Sequence, residues 1–185
     1  MVFVVFPTPD RISPRISIES LKALIEQMDG MRQKDAGIPR GGLIEVTGPA
    51  RTEWVVRFLR KNPTAQIAWV EDCLSVFPTA VQQQKLALHQ VVFIEAKDEL
   101  DWTVTTLLRS QVFTSIVMPG GGGPGEKRLR RYQLLAEKAN CSVILLSSRP
   151  SSAWCINVQL EARRGVKLKV LKQKGHSNLS EVLGL

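Results

Sequence analysis

The stretch of this 185-residue chain with the outline of a chemical site runs from Gly42 to Val56, GLIEVTGPARTEWVV. An apolar run leads into a tight turn at Gly48-Pro49 and then into a helix start. In the phosphate-binding pattern G-x-x-x-x-G-K-[ST], glycines let backbone N–H groups wrap a phosphate, the lysine neutralises the terminal phosphates and the hydroxyl residue holds magnesium. Counting from Gly48, the second glycine falls on Glu53, the lysine on Trp54 and the hydroxyl residue on Val55. Each replacement opposes that chemistry: Glu53 sets a carboxylate against a triphosphate, Trp54 is uncharged and bulky, and Val55 offers no metal ligand. The turn thus has the outline of a degenerate phosphate loop, and the indole of Trp54 is expected in the space where phosphates would lie.

Other chemistry-bearing residues are scattered. His89 and His176 have no serine or cysteine partner at a recognisable spacing and read as surface or packed residues. Glu71-Asp72 and Asp98-Glu99 fall at strand or helix ends, where solvation and capping account for them, and Asp98 is read as a helix cap. Cys73, Cys141 and Cys155 are odd in number and far apart, so neither a disulfide framework nor a metal site is expected, and a reducing cytoplasm fits. The net charge of +8 and pI near 9.8 favour nucleic acid or an acidic protein surface as partners. No apolar run is long enough to span a bilayer, and the apolar Val2–Phe6 segment lacks the basic leader of a signal peptide. The expectation is a soluble protein.

Residues 1–16 read as a short strand or arm followed by a proline-rich linker, and residues 17–185 as one domain. Ser17 caps an amphipathic helix to Gly30. Strands are expected at Leu43–Thr47, Gln66–Val70, Val91–Ile94, Phe113–Met118 and Ser142–Leu146. Helices are expected over about Thr52–Lys61, Pro78–Leu88, Asp98–Arg109 and Glu126–Ala139. This alternation predicts an α/β fold, a mostly parallel sheet with helices on both faces. Near the C-terminus the period changes to two. Cys155–Arg163 and Val166–Lys172, on either side of Arg164-Gly165, read as an antiparallel hairpin added to the edge of the sheet. Pro119 to Gly125 is a glycine loop, and the helix after it carries Lys127, Arg128, Arg130 and Arg131.

From about Ile38 to Lys174 this order of pieces resembles the RecA-like ATPase core, with the glycine-led strand entering Gly48-Pro49, a strand closing on Glu71, a strand before a glycine loop and basic helix, and a lysine-bearing hairpin. The resemblance implies a catalytic glutamate where Cys73 stands, a Walker B aspartate where Pro119 stands, and a γ-phosphate-sensing glutamine where Ser148 stands. Together with Glu53, Trp54 and Val55 these departures imply a pseudo-ATPase with no catalytic residue, cofactor or metal. Among RecA-related families, Gly41 to Pro49, the basic hairpin and the chain length are most similar to ImuA, which accompanies translesion polymerase components in the bacterial damage (SOS) response. The resemblance then implies a non-catalytic cytoplasmic adaptor that binds a translesion polymerase-like subunit and RecA. A SulA-like stoichiometric inhibitor of the tubulin-like division protein is the alternative, as is a RecA paralogue that binds single-stranded DNA. For DNA, the implied contacts are Lys127, Arg128, Arg130 and Arg131 beside the glycine loop and Arg149 in the shortened loop reaching Trp154. Lys172 and Lys174 align with family lysines that reach a neighbouring protomer's nucleotide, and are read as solvated or partner-facing. Val2–Phe6 either docks on a second subunit, as the family's N-terminal strand does, or pairs with its own sheet.

Overall fold

The computed structural model describes residues 3–5, 41–120, 125–165 and 168–174. The expected helix from Ser17, the linker before it, His176 and the tail from Gly175 lie outside the described residues. Eight strands form one sheet: β1 (Phe3–Val5), β2 (Gly42–Thr47), β3 (Ile67–Glu71), β4 (Val91–Glu95), β5 (Ser115–Pro119), β6 (Ser142–Leu146), β7 (Val158–Ala162) and β8 (Leu168–Gln173). Their order across the sheet is β1-β4-β3-β5-β6-β2-β7-β8. The six inner strands are mutually parallel, and β1 and β8 close the two edges in antiparallel pairs. The fold is therefore α/β with a mostly parallel sheet. The expected antiparallel hairpin is present as β7 and β8, and it joins the sheet through β7, which pairs in parallel with β2 in register Ile44↔Val158. Cys155 and Ile156 sit in the loop before β7, where both are fully buried.

Burial on both faces explains why β3, β4 and β6 are near-continuous apolar runs instead of alternating with polar residues. Along β2, Leu43 faces one core while Ile44 and Val46 face the other, and β3 divides in the same way, Ala68 and Val70 against Ile67 and Trp69. The first core is closed by α3 (Leu100–Ser110) and α4 (Glu126–Ala139), through Val104, Leu107, Leu129, Tyr132 and Ala136. The second is closed by α1 (Arg51–Leu59) and α2 (Pro78–Gln83), through Val55, Val56, Leu59 and Val81. Helices thus cover both faces.

Two helix ends differ from expectation. α2 stops at Gln83 and a separate 3-10 turn covers Leu88–Gln90; Lys85 between them takes φ +65°, a left-handed backbone that breaks the helical path. Asp98 does not cap α3: it lies inside a 3-10 turn, Lys97–Glu99, and α3 starts at Leu100 without a side-chain cap hydrogen bond. At the other end, α3 and α4 both terminate on left-handed residues, Gln111 at φ +56° and Asn140 at φ +51°. Among the described residues no helix is long and apolar enough to cross a membrane.

Candidate functional site

The carboxyl ends of parallel strands are where an α/β sheet presents ligand sites. Here a cleft of about 390 Å³ opens at the ends of β3, β5 and β6, between the start of α1 and the loop after β3. Cys73 and Pro119, singled out in the sequence by the resemblance alone, both line it. So do Arg51 and Thr52, which the seven-residue spacing from Gly48 passes over. Ser148 is exposed on the loop after β6 and is not part of the cleft lining. The thiol of Cys73 is exposed.

The Gly48 turn is packed against β7. Gly48 has φ +93°, and a Cβ there would lie 2.4 Å from the Ala162 carbonyl oxygen, so only glycine fits. The amide of Ala50 donates to that same carbonyl at 3.3 Å, and the amide of Arg51 to the Gly48 carbonyl at 3.3 Å. Two of the turn's amides are thereby spent inside the protein. The guanidinium of Arg51 also donates to the Gly48 carbonyl, at 3.2 Å.

The three altered motif positions each serve the scaffold. Glu53 pairs with Arg57 one turn along α1 at 2.6 Å. Val55 is fully buried in the second core. Trp54 does not line the cleft: its ring stacks on Phe58, one turn further along α1, with centroids 5.2 Å apart and planes 11° from parallel. The expectation that its indole fills the phosphate space is not met. An i,i+4 aromatic pair on a helix satisfies both rings, and the second core then holds the indole's apolar body.

Glu71 organises the outer wall of the cleft. Its carboxylate accepts hydrogen bonds from Trp69 Nε1 at 3.1 Å, the Ser75 amide at 2.5 Å and the Ser75 hydroxyl at 3.0 Å. The loop carrying Asp72 and Cys73 is therefore held in place by an acid that sequence reading assigns to solvation or capping. The turn after β4 is tied to the same wall, with the Ala96 amide on the Glu71 carbonyl and the Lys97 amide on the Asp72 carbonyl.

The basic candidates fall into two groups. Lys127 and Arg128 are exposed on the first turn of α4. Arg131 turns back to α3, where it pairs with Asp101, whose carboxylate also accepts the Tyr132 hydroxyl at 2.7 Å. The Arg131 hydrogen bond holds the Asp101 carboxyl below its ordinary range, and burial with the bond to Asp101 pushes the Tyr132 phenol up. Arg131 is accordingly a clamp between two helices. Arg130 donates to Gln133 Oε1 at 2.8 Å and lies over the Trp154 ring, 5.1 Å from its centroid. Lys174 lies 5.3 Å from the same centroid. Trp154 is 52% exposed, and Arg149 is exposed on the same loop.

Lys172 and Lys174 both reach back to the loop before β7. Lys172 Nζ donates to the Ala153 carbonyl at 3.1 Å, and Lys174 Nζ to the carbonyl of Trp154. Beneath this loop lies a buried carboxylate that sequence reading missed. Glu45, 1% exposed in the middle of β2, accepts from the Ser147 hydroxyl at 2.7 Å, the Ser151 amide at 2.9 Å and Gln159 Nε2 at 2.7 Å. An acid within the otherwise apolar run Leu43–Val46 is the signal that was available for it. Among the described residues, no group of three or more His, Cys, Asp or Glu side chains is placed to hold a metal ion. No family model matches the chain, and no curated protein matches it in sequence.

Proposed function

We propose that the chain is a RecA-like pseudo-ATPase that works as a non-catalytic, ImuA-like adaptor in the cytoplasm, binding a translesion polymerase-like subunit and RecA during SOS-induced mutagenesis. The observation that carries the non-catalytic part is the packing of the Gly48 turn on β7, with the Ala50 amide spent on Ala162 and Val55 sealed in the core. Nucleotide and magnesium do not fit this arrangement, because the loop offers Glu53 and Trp54 in place of a glycine and a lysine, Cys73 and Pro119 stand where the resemblance expects the catalytic glutamate and the Walker B aspartate, and the Glu71 carboxylate in the cleft is engaged by Trp69 and Ser75. The sheet order supports the RecA-like part: the turn follows β2, an inner strand between β6 and β7, and the cleft spans the neighbouring strand ends. An affinity pulldown from DNA-damaged cells tests the adaptor role. Recovery of a translesion polymerase component supports it, and recovery of the division protein in its place moves the chain to the SulA-like reading. Magnesium-dependent ATP turnover by the purified chain would overturn the pseudo-ATPase reading.

A specific observation favours an added contact with single-stranded DNA. Trp154 stands half exposed with Arg130 and Lys174 near its ring and Arg149 on the same loop. An exposed ring among cations is the arrangement that stacks a base and screens its phosphate.

A further inference from the structure

We propose that the cleft at the ends of β3 and β5, together with Phe77 beside it, is a docking groove for a basic, apolar segment of a protein partner. The inference rests on the adaptor reading and names the surface that reading needs.

Three features argue for it. First, the wall of the cleft is apolar where Val76, Met118, Pro119 and Leu146 line it, which suits methylenes and aliphatic side chains. Second, Phe77 immediately follows this wall and is 74% exposed, the most exposed of the large apolar side chains among the described residues. It leads into the first turn of α2 and rests on a loop pinned by Glu71 to Ser75. An aromatic ring on a braced loop is a preorganised anchor, losing little freedom when a partner covers it.

Third, the charge of the groove is opposite to that of the protein. Glu71 and Asp72 line the cleft, and Glu95 stands next to Glu71 in the β3–β4 register. Asp98 and Glu99 follow in the turn fastened to the Asp72 carbonyl, with Lys97 as the one cation of that turn. Arg51, on the far wall, is engaged with the Gly48 carbonyl. On a chain of net charge +8, this local excess of carboxylate repels nucleic acid and acidic surfaces and attracts lysine and arginine. A cavity that does not fit phosphate is thus matched to the opposite charge.

The test uses the full chain and two fluorescent decapeptides, one alternating arginine with leucine and one alternating glutamate with leucine. The arginine peptide is expected to bind, to weaken as sodium chloride is raised, and to lose at least tenfold in affinity in Asp72→Lys and in Phe77→Ser. Both substitutions are at exposed side chains, so the melting temperature serves as the control for folding. Equal binding of the glutamate peptide, or undiminished affinity in the double variant, overturns the groove. The adaptor reading is separated by repeating the pulldown with the double variant. Full recovery of the polymerase component by that variant removes the groove and leaves the adaptor standing. Peptide binding that depends on Asp72 and Phe77, with no polymerase component recovered, supports the groove and removes the adaptor.

Discussion

Ser147 donates its hydroxyl to Glu45 at 2.7 Å, joining the end of β6 to the middle of β2 across 102 residues of sequence. With Gln159 and the Ser151 amide on the same carboxylate, one buried acid holds the loop from Ser147 to Asn157 in shape. Glu45→Leu leaves the Ser147 hydroxyl and the Ser151 amide without an acceptor, while Gln159 Nε2 keeps the Ser151 carbonyl, at about 1–3 kcal/mol for each orphaned donor. The variant is expected to lose about 3 kcal/mol or more in urea unfolding, with Glu45→Gln losing less because one acceptor oxygen remains. The loop's tryptophan reports the change directly, as a shift in Trp154 emission.

The Asp101–Arg131–Tyr132 clamp carries a pH dependence whose sign is set by the acid. The Asp101 carboxyl is held below its ordinary range chiefly by the Arg131 hydrogen bond. Its contribution is therefore complete above the unfolded carboxylate range and is lost as pH falls through the lowered folded value. Stability measured from pH 7 down to pH 2 should show wild type converging on Asp101→Asn at the acid end. Tyr132→Phe removes one hydrogen bond to a charged group and is expected to cost about 1–2 kcal/mol at neutral pH.

Substitutions along the Gly48 turn and the start of α1 are expected to harm the fold. Gly48→Ala places a methyl against the Ala162 carbonyl on a left-handed backbone and should cost about 2 kcal/mol or more. Val55→Thr puts a hydroxyl into an apolar cluster and should cost about 1–3 kcal/mol. Grafting glycine, lysine and threonine at residues 53, 54 and 55 together also removes the Glu53–Arg57 pair and the Trp54–Phe58 stack. Thermal melts should show a lower midpoint, and nucleotide should not restore it.

Trp154→Ala should weaken single-stranded DNA binding by about tenfold, within the 1–3 kcal/mol that base stacking on an aromatic ring supplies. Arg130→Glu should weaken it further and flatten the salt dependence. Arg131→Glu should instead lower the melting temperature, because its partner is Asp101. Fluorescence anisotropy with an oligothymidine, read beside thermal melts, separates the two arginines.

The inner strands were legible from composition, because continuous apolar runs such as Ile67–Val70 and Val143–Leu145 are what burial on both faces demands. The C-terminal hairpin is legible from its period of two. β7 carries Gln159 and Glu161 at alternate positions, the pattern of a hairpin strand, and pairs with β8, although Gln159 is buried on Glu45 and no local pattern shows the parallel pairing of β7 with β2. The cleft was half legible. Cys73 and Pro119 are singled out only by the family resemblance, whereas Arg51 and Thr52 fall between the positions that a fixed seven-residue spacing marks, because the turn follows its own path. Trp54 was misplaced because spacing locates a residue along α1 but not around it, and Phe58 decides its direction. Long-range polar pairs such as Glu45 with Ser147 leave no local periodicity at all.

The place of β2 in the sheet also bears on how the chain is made. Gly42 to Thr47 lies between β6 and β7, in register Gly42↔Ser142 and Ile44↔Val158. A strand synthesised early therefore has both of its neighbours roughly 100 residues behind it on the ribosome, about 5–20 s at ordinary elongation rates. Through that interval Leu43, Ile44 and Val46 lack both strands that β2 pairs with, so this apolar segment stays uncovered until β6 emerges.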